Sequence, residues 1–209
     1  MMKKVKKIDS WEGFKLGRTT GKRGNPKKRI LICCEGKKTE PNYFKAFRVT
    51  SAEVIVDGVG SNTSSLVEYA VQKKEEAAKE KEPYDEIWCV FDRDSFPAGN
   101  FNSAFDLAKK NTIEIAYSNE AFELWYLLHF HYYNTGISRK LYKKKLSECL
   151  NKTYEKNSKT MYEDILPRQD RAIKNAKKLL ASFKKGNPEN NNPSTTVFKL
   201  VEVLNNNSN

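Results

Sequence analysis

The sequence predicts an α/β protein, with a mostly parallel four-stranded sheet flanked by helices and a helical C-terminal subdomain. Two observations carry this. Four short apolar runs, each of strand length, alternate with helical patterns between residues 29 and 131, and strands separated by helices pair in parallel through right-handed crossovers. From residue 132 onward the strand-like runs stop and only helical periodicity continues.

The first run, Ile30-Leu31-Ile32-Cys33-Cys34, is continuous rather than alternating, as expected of a strand buried on both faces, and it ends in Glu35-Gly36. Thr39-Glu40-Pro41 then supplies helix-start chemistry, with Tyr43, Phe44 and Phe47 spaced for one helical face. Val54-Ile55-Val56 is the second strand. The loop Asp57-Gly58-Val59-Gly60-Ser61-Asn62-Thr63 leads into a helix over 66–82 whose later part is highly charged. Ile87-Trp88-Cys89-Val90-Phe91 is the third strand, followed by Asp92-Arg93-Asp94. A short helix around 105–110 precedes the fourth strand, Ile113-Glu114-Ile115-Ala116-Tyr117, and Ser118-Asn119-Glu120 opens another helix. Helices are expected over 138–150, 170–185 and 194–204, the last carrying Val197, Leu200, Val201 and Leu204 as an i, i+3, i+4, i+7 stripe, with 187–192 as an Asn-rich loop. The division is therefore a basic arm over 1–28, an α/β core over 29–131 and a helical subdomain over 132–209.

With 209 residues the chain holds one domain, or a domain with an appendage. Lys and Arg number 38 against 26 Asp and Glu, a formal charge of +12 that favours polyanionic partners such as nucleic acid, although solvated lysines on helix faces give the same excess. The arm reads equally as a nucleic-acid clamp or a loosely docked extension. Cysteines 33, 34, 89 and 149 show no C-x-x-C spacing, which argues against a zinc site or a disulfide framework. No apolar run reaches membrane-span length and no signal-peptide core follows the basic N-terminus, so a cytoplasmic protein with no membrane partner is expected.

Ligands of open parallel sheets bind beyond the carboxyl ends of the strands. Glu35 stands there after the first strand, Asp92 and Asp94 after the third, and Glu120 and Glu123 after the fourth. In extended backbone Asp92 and Asp94 project to one side, and an adjacent strand end lies ~4.8 Å away. That arrangement suits a hard cation with oxygen ligands, Mg²⁺ or Mn²⁺, without which the carboxylates would repel one another and a substrate phosphate. An Asp-x-Asp is also a common turn or helix-cap pair. Glu123 sits in Ala121-Phe122-Glu123-Leu124-Trp125-Tyr126-Leu127-Leu128, apolar almost all round, so a buried carboxylate there requires a metal, an Arg or Lys, or backbone amides. Glu120, three residues earlier, falls on the same helical face if the helix begins there.

Lys37 and Lys38 are candidate phosphate contacts. Gly58, Gly60, Ser61, Asn62 and Thr63 precede a helix whose N-terminus could seat a phosphate, although a plain turn and cap explains them as well. Gly36-Lys37-Lys38-Thr39 imitates only the end of a P-loop, lacking the upstream glycine and bringing Glu35 against any nucleotide phosphate. His129 and His131, two apart, do not share a helical face and read as packing residues.

Several stretches together resemble the RloB-like family, which includes the AbiL-type abortive-infection component. They are Ile32-Cys33-Cys34-Glu35-Gly36-Lys37-Lys38-Thr39-Glu40-Pro41-Asn42-Tyr43-Phe44, Val90-Phe91-Asp92-Arg93-Asp94, Ser118-Asn119-Glu120-Ala121-Phe122-Glu123-Leu124-Trp125 with Leu127-Leu128-His129-Phe130, and Asn192-Pro193-Ser194-Thr195-Thr196-Val197. The resemblance implies the Toprim fold shared with topoisomerases, primases and overcoming-lysogenization-defect nucleases. It implies Glu35 as an acid/base or metal-site group and Asp92 with Asp94 as the metal pair. It implies Glu40 as a further candidate metal ligand, although related nucleases carry the second Glu four residues after the first and here it is five away. Family members commonly have Pro where this chain has Glu120, so Glu120 is at most an optional ligand. The resemblance further implies a nuclease acting on DNA or RNA, tRNA among them, as the effector of an anti-phage system controlled by an ABC-like or AAA-like ATPase. The rival readings are a non-catalytic nucleic-acid sensor or regulatory subunit, and phosphoryl or nucleotidyl transfer to a small molecule.

Overall fold

The computed structural model describes residues 27–60, 62–93, 98–183 and 188–208. Four strands, β1 (Lys28–Cys34), β2 (Ala52–Gly58), β3 (Glu86–Arg93) and β4 (Glu114–Asn119), form one sheet in the order β2-β1-β3-β4. Every pairing is parallel, with Leu31 opposite both Ile55 and Ile87, and Cys89 opposite Ile115. The central strands β1 and β3 have helices on both faces, which is why their sequences are continuously apolar. Side-chain alternation sends Ile30, Ile32, Cys34, Trp88 and Val90 to one face, and Leu31, Cys33, Ile87, Cys89 and Phe91 to the other.

The second face is covered by α2 (Thr63–Lys79) and α3 (Ala98–Lys110) through Leu66, Val67, Ala70, Phe101, Ala104 and Ala108. The first face carries the rest of the helices: α1 (Thr39–Lys45), α4 (Glu123–Leu128), α5 (Arg139–Leu150), α6 (Met161–Ile165), α7 (Gln169–Ala181) and α8 (Val197–Asn206). Tyr142, Leu146, Ile165, Ala172, Leu179, Leu200 and Leu204 belong to the same apolar cluster as Ile30, Ile32 and Val90. The helical C-terminal region thus shares its core with the sheet.

Several boundaries differ from the sequence expectation. Lys28, placed in the basic arm, opens β1; residues 1–26 lie outside the described residues, as do Ser61 and Asp94. β3 does not stop at Phe91, because Asp92 and Arg93 still pair with Ser118 and Asn119. The helix expected from Ser118 begins only at Glu123: β4 runs to Asn119 and Glu120 turns the chain at φ 74°. α3 starts earlier than anticipated, at Ala98, and α6 is too short to show a period in the sequence.

Ser194-Thr195-Thr196 is not helical: Thr195 bridges Ser118 antiparallel, and Thr196 is the residue from which α8 starts. The segment pairs along the edge of β4, with Asn119 N–H donating to Ser194 O (2.7 Å), Thr196 N–H to Tyr117 O (2.8 Å) and Tyr117 N–H to Thr196 Oγ1 (3.0 Å). At the far end of α8, Asn207 O accepts from the backbone N–H groups of Thr50 and Ser51, each at 3.0 Å, just before β2. The segment 194–207 thereby straps the first face from one edge strand to the other. Among the described residues, no helix is long and apolar enough to cross a membrane.

Candidate active site

The carboxyl ends of the two central strands are tied together by a carboxylate. Glu35 follows β1 and its Oε2 accepts the backbone N–H of Asp92 on β3 at 3.0 Å, while its own N–H donates to Val90 O at 2.9 Å. Gly36 comes next, where a Cβ would overlap the Glu40 carboxylate. Without a side chain at residue 36, Glu40 in the first turn of α1 folds back over the loop and is buried, 7% exposed.

Asp92 shares the strand face of Trp88 and Val90 and so points toward the helical half. There it meets Arg139 at the start of α5, whose Nη2 lies 3.3 Å from Asp92 Oδ2. The same guanidinium donates through Nε (3.0 Å) and Nη2 (2.9 Å) to the carbonyl of Glu120, so the positive-φ turn after β4 holds the arginine over the aspartate. Glu123, in the first turn of α4, is 9% exposed, and its Oε1 accepts the Tyr154 hydroxyl at 3.1 Å.

The electrostatics show that these groups share one neighbourhood. Burial, then the charges of Glu40, Glu123 and Glu35, push the Asp92 carboxyl well above the usual range, with Arg139 opposing. Burial and Glu123 raise the Glu40 carboxyl against the pull of its own backbone N–H, Lys156 and Arg139. Burial and Glu123 likewise raise the Tyr154 phenol. Beside the carboxylates opens a cavity of about 460 Å³ lined by Glu123, Arg139, Lys140, Lys143, Tyr154 and Lys156. Among the described residues, no three His, Cys, Asp or Glu side chains stand in ion-holding geometry.

Of the sequence-predicted residues, the structure brings Glu35, Glu40, Asp92 and Glu123 into one neighbourhood. The turn through Gly36 is what brings the Glu40 carboxylate back toward Glu35 despite their five-residue spacing. Glu120 is not on the helical face of Glu123; it lies before α4 and contributes its backbone carbonyl. Lys37 and Lys38 are exposed, and the Lys37 chain lies against Gly60, whose φ of +69° a glycine accommodates. Asn62 caps α2, accepting from Ser65 N–H at 3.0 Å, and Thr63 is buried beside it. His129 is buried against Trp125, ring centroids 4.9 Å apart. Cys33, Cys34 and Cys89 are free and buried in the strands.

Sequence reasoning missed Arg139, Lys140, Lys143, Tyr154 and Lys156. The basic run of α5 was the visible signal for three of them; nothing local marks Tyr154 or Lys156.

The model of the family described as RloB-like protein matches residues 30–204. The chain belongs to the RloB-like family. The matched span runs from β1 into α8 and includes every residue of the carboxylate cluster and of the cavity. No curated protein and no solved structure matches the chain.

Proposed function

We propose that this RloB-like chain is a Toprim-type, metal-dependent nuclease hydrolysing phosphodiester bonds in DNA or RNA, tRNA among them. The observation that carries the reading is the convergence of Glu35, Glu40, Asp92 and Glu123, from three separate segments, on the carboxyl ends of the central strands. The donor set suits Mg²⁺ or Mn²⁺: it is all oxygen, and clustered carboxylates that raise one another's proton affinity create a potential a divalent cation relieves. Glu35 and Asp92, with Glu40 and Glu123 beside them, are the residues that would hold it, joined by Asp94 of the Asp92-Arg93-Asp94 sequence. When bound, the ion polarises a phosphate oxygen and makes a coordinated water more acidic.

The chain's own groups do the rest. Glu35 fixes the end of β3 through the Asp92 amide, which sets where the aspartate points. Glu40, its carboxyl raised by burial and Glu123, is suited to hold or pass a proton. Arg139, held by the Glu120 carbonyl, orients a phosphate oxygen over Asp92.

The wider role is the effector of an ATPase-controlled anti-phage system. The family resemblance implies an ABC-like or AAA-like partner as the motor; Gly36-Lys37-Lys38-Thr39, without the upstream glycine of a P-loop and with Glu35 against any nucleotide, accords with that.

End-labelled single- and double-stranded DNA, RNA and tRNA, incubated with Mg²⁺ or Mn²⁺ with and without the ATPase partner, test the reading. Cleavage by the wild type, and binding without cleavage by Asp92→Ala, is the expected pair of results. A wild-type protein that binds nucleic acid yet cuts none of these substrates under any of the conditions makes it a sensor or regulatory subunit instead.

A further inference from the structure

The cavity beside the carboxylates has a strongly one-sided wall. Four of its six lining residues are cationic: Arg139, Lys140 and Lys143 from α5, and Lys156 from the segment after it. Positions 139, 140 and 143 are spaced i, i+1, i+4, so one side of the helix carries all three. Lys140, Lys143 and Lys156 are exposed, and among the described residues none has a carboxylate within ion-pair distance. This is unlike Lys28, Lys73, Lys152 and Lys177, which are paired to Glu86, Glu76, Asp164 and Glu202.

The three lysines outnumber the one carboxylate in the wall, Glu123, and that excess of positive charge draws an anion into the concavity. The wall is also continuous with the catalytic end of the sheet, because Arg139 contacts Asp92 and Glu123 lines the cavity while sitting in the carboxylate cluster. A phosphodiester backbone is the ligand whose charge repeats at short intervals and which must reach both halves. The volume of about 460 Å³ is that of a small-ligand site rather than a duplex groove, so it admits single-stranded or locally unpaired nucleic acid.

We infer that this cavity seats the sugar-phosphate backbone of a single strand, with Lys140, Lys143 and Lys156 on phosphates flanking the scissile one and Arg139 at the junction with the carboxylates. The inference rests on the nuclease reading and names the substrate subsite of that same site.

Binding measured without metal separates the two. Fluorescence anisotropy in EDTA, with labelled single strands of DNA and of RNA of roughly 12 nucleotides, compares the wild type with Lys140→Ala/Lys143→Ala/Lys156→Ala. A control, Lys79→Ala/Lys109→Ala/Lys110→Ala, removes the same net charge from exposed positions on α2 and α3. Three lost single-strand phosphate contacts reduce the slope of log K against log salt by about 2, and weaken binding on the order of 100-fold at 0.1 M salt. The control should stay near wild type, and Lys→Arg at the three cavity positions should preserve binding. The RNA and DNA arms show which backbone the cavity prefers. A cavity variant that keeps the wild-type slope and affinity overturns the inference, as does an equal loss in the control or a failure of the arginine variant. Binding lost in the cavity variant alone, from a wild type that never cleaves with Mn²⁺, upholds the subsite while removing the nuclease.

Discussion

Replacing Asp92 by Asn removes one negative charge from the centre of the cluster and keeps the side chain's shape. In the wild type the Asp92 carboxylate is 14% exposed and is opposed by burial and by Glu40, Glu123 and Glu35. Among the described residues its favourable ionic partner is Arg139 at 3.3 Å, itself 44% exposed, and a pair that open to water contributes at most about 1 kcal/mol. Losing that pair and relieving the repulsion offset each other. Without metal, the variant should therefore melt within about 4 °C of the wild type, the shift that ~1 kcal/mol produces in a domain of this size. Metal changes the comparison. At a free ion concentration of about 100 times Kd, binding to the folded state stabilises it by about 2.7 kcal/mol, a rise in the wild-type midpoint of about 5–11 °C. Thermal melts in EDTA and in stepped Mn²⁺ and Mg²⁺ measure this without any cleavage assay. The wild type should climb with metal and Asp92→Asn should stay flat. Equal climbs in the two proteins, or none in the wild type through the millimolar range, would refute the assignment of Asp92 as a ligand.

Two further outcomes follow from the packing. His129 is buried with Nδ1 donating to Trp125 O at 2.9 Å and Nε2 without a partner, and burial draws its folded pKa down to about 4. The unfolded chain binds the proton first, near pH 6.5. The stability this histidine contributes is therefore complete above pH 6.5 and is lost as pH falls toward 4, by about 3 kcal/mol in all. Urea melts of His129→Phe should show a flatter dependence between pH 7 and 4 than the wild type; identical slopes would refute this. Gly36→Ala should leave the fold intact, since the new Cβ meets only the movable end of Glu40. It should weaken Mn²⁺ binding about tenfold by displacing that carboxylate; unchanged metal titration would remove Glu40 from the site.

The central strands were legible because burial on both faces leaves an unbroken apolar run. Their ends were not, since Asp92 and Arg93 are strand residues only through pairing with Ser118 and Asn119, a long-range fact that polarity conceals. Glu123 announced itself as a charge in an apolar helix that needs a partner, and the structure adds the Tyr154 hydroxyl, which donates to its Oε1. The two residues are 31 positions apart with no pattern joining them. Arg139 was hidden for the opposite reason, because a basic helix face reads first as solvated surface. The place of Glu40 beside the strand ends was not legible from its five-residue spacing, which takes no account of the missing Cβ at Gly36. Ser194-Thr195-Thr196 offers the hydroxyls of a helix start, and only the open edge of β4 explains why those groups pair with a strand instead.

That edge pairing makes α8 a gauge. Four strands span three intervals of ~4.8 Å, about 14 Å in all, and a helix of ten residues is about 15 Å long. The tether at Tyr117 and the tether at Thr50 and Ser51 are thus set apart by the width of this sheet and no wider. A strand inserted between β2 and β4 would outrun the helix that measures it. The calliper holds β1 and β3 as the pair between its jaws, and Glu35 and Asp92 are kept side by side at the centre line.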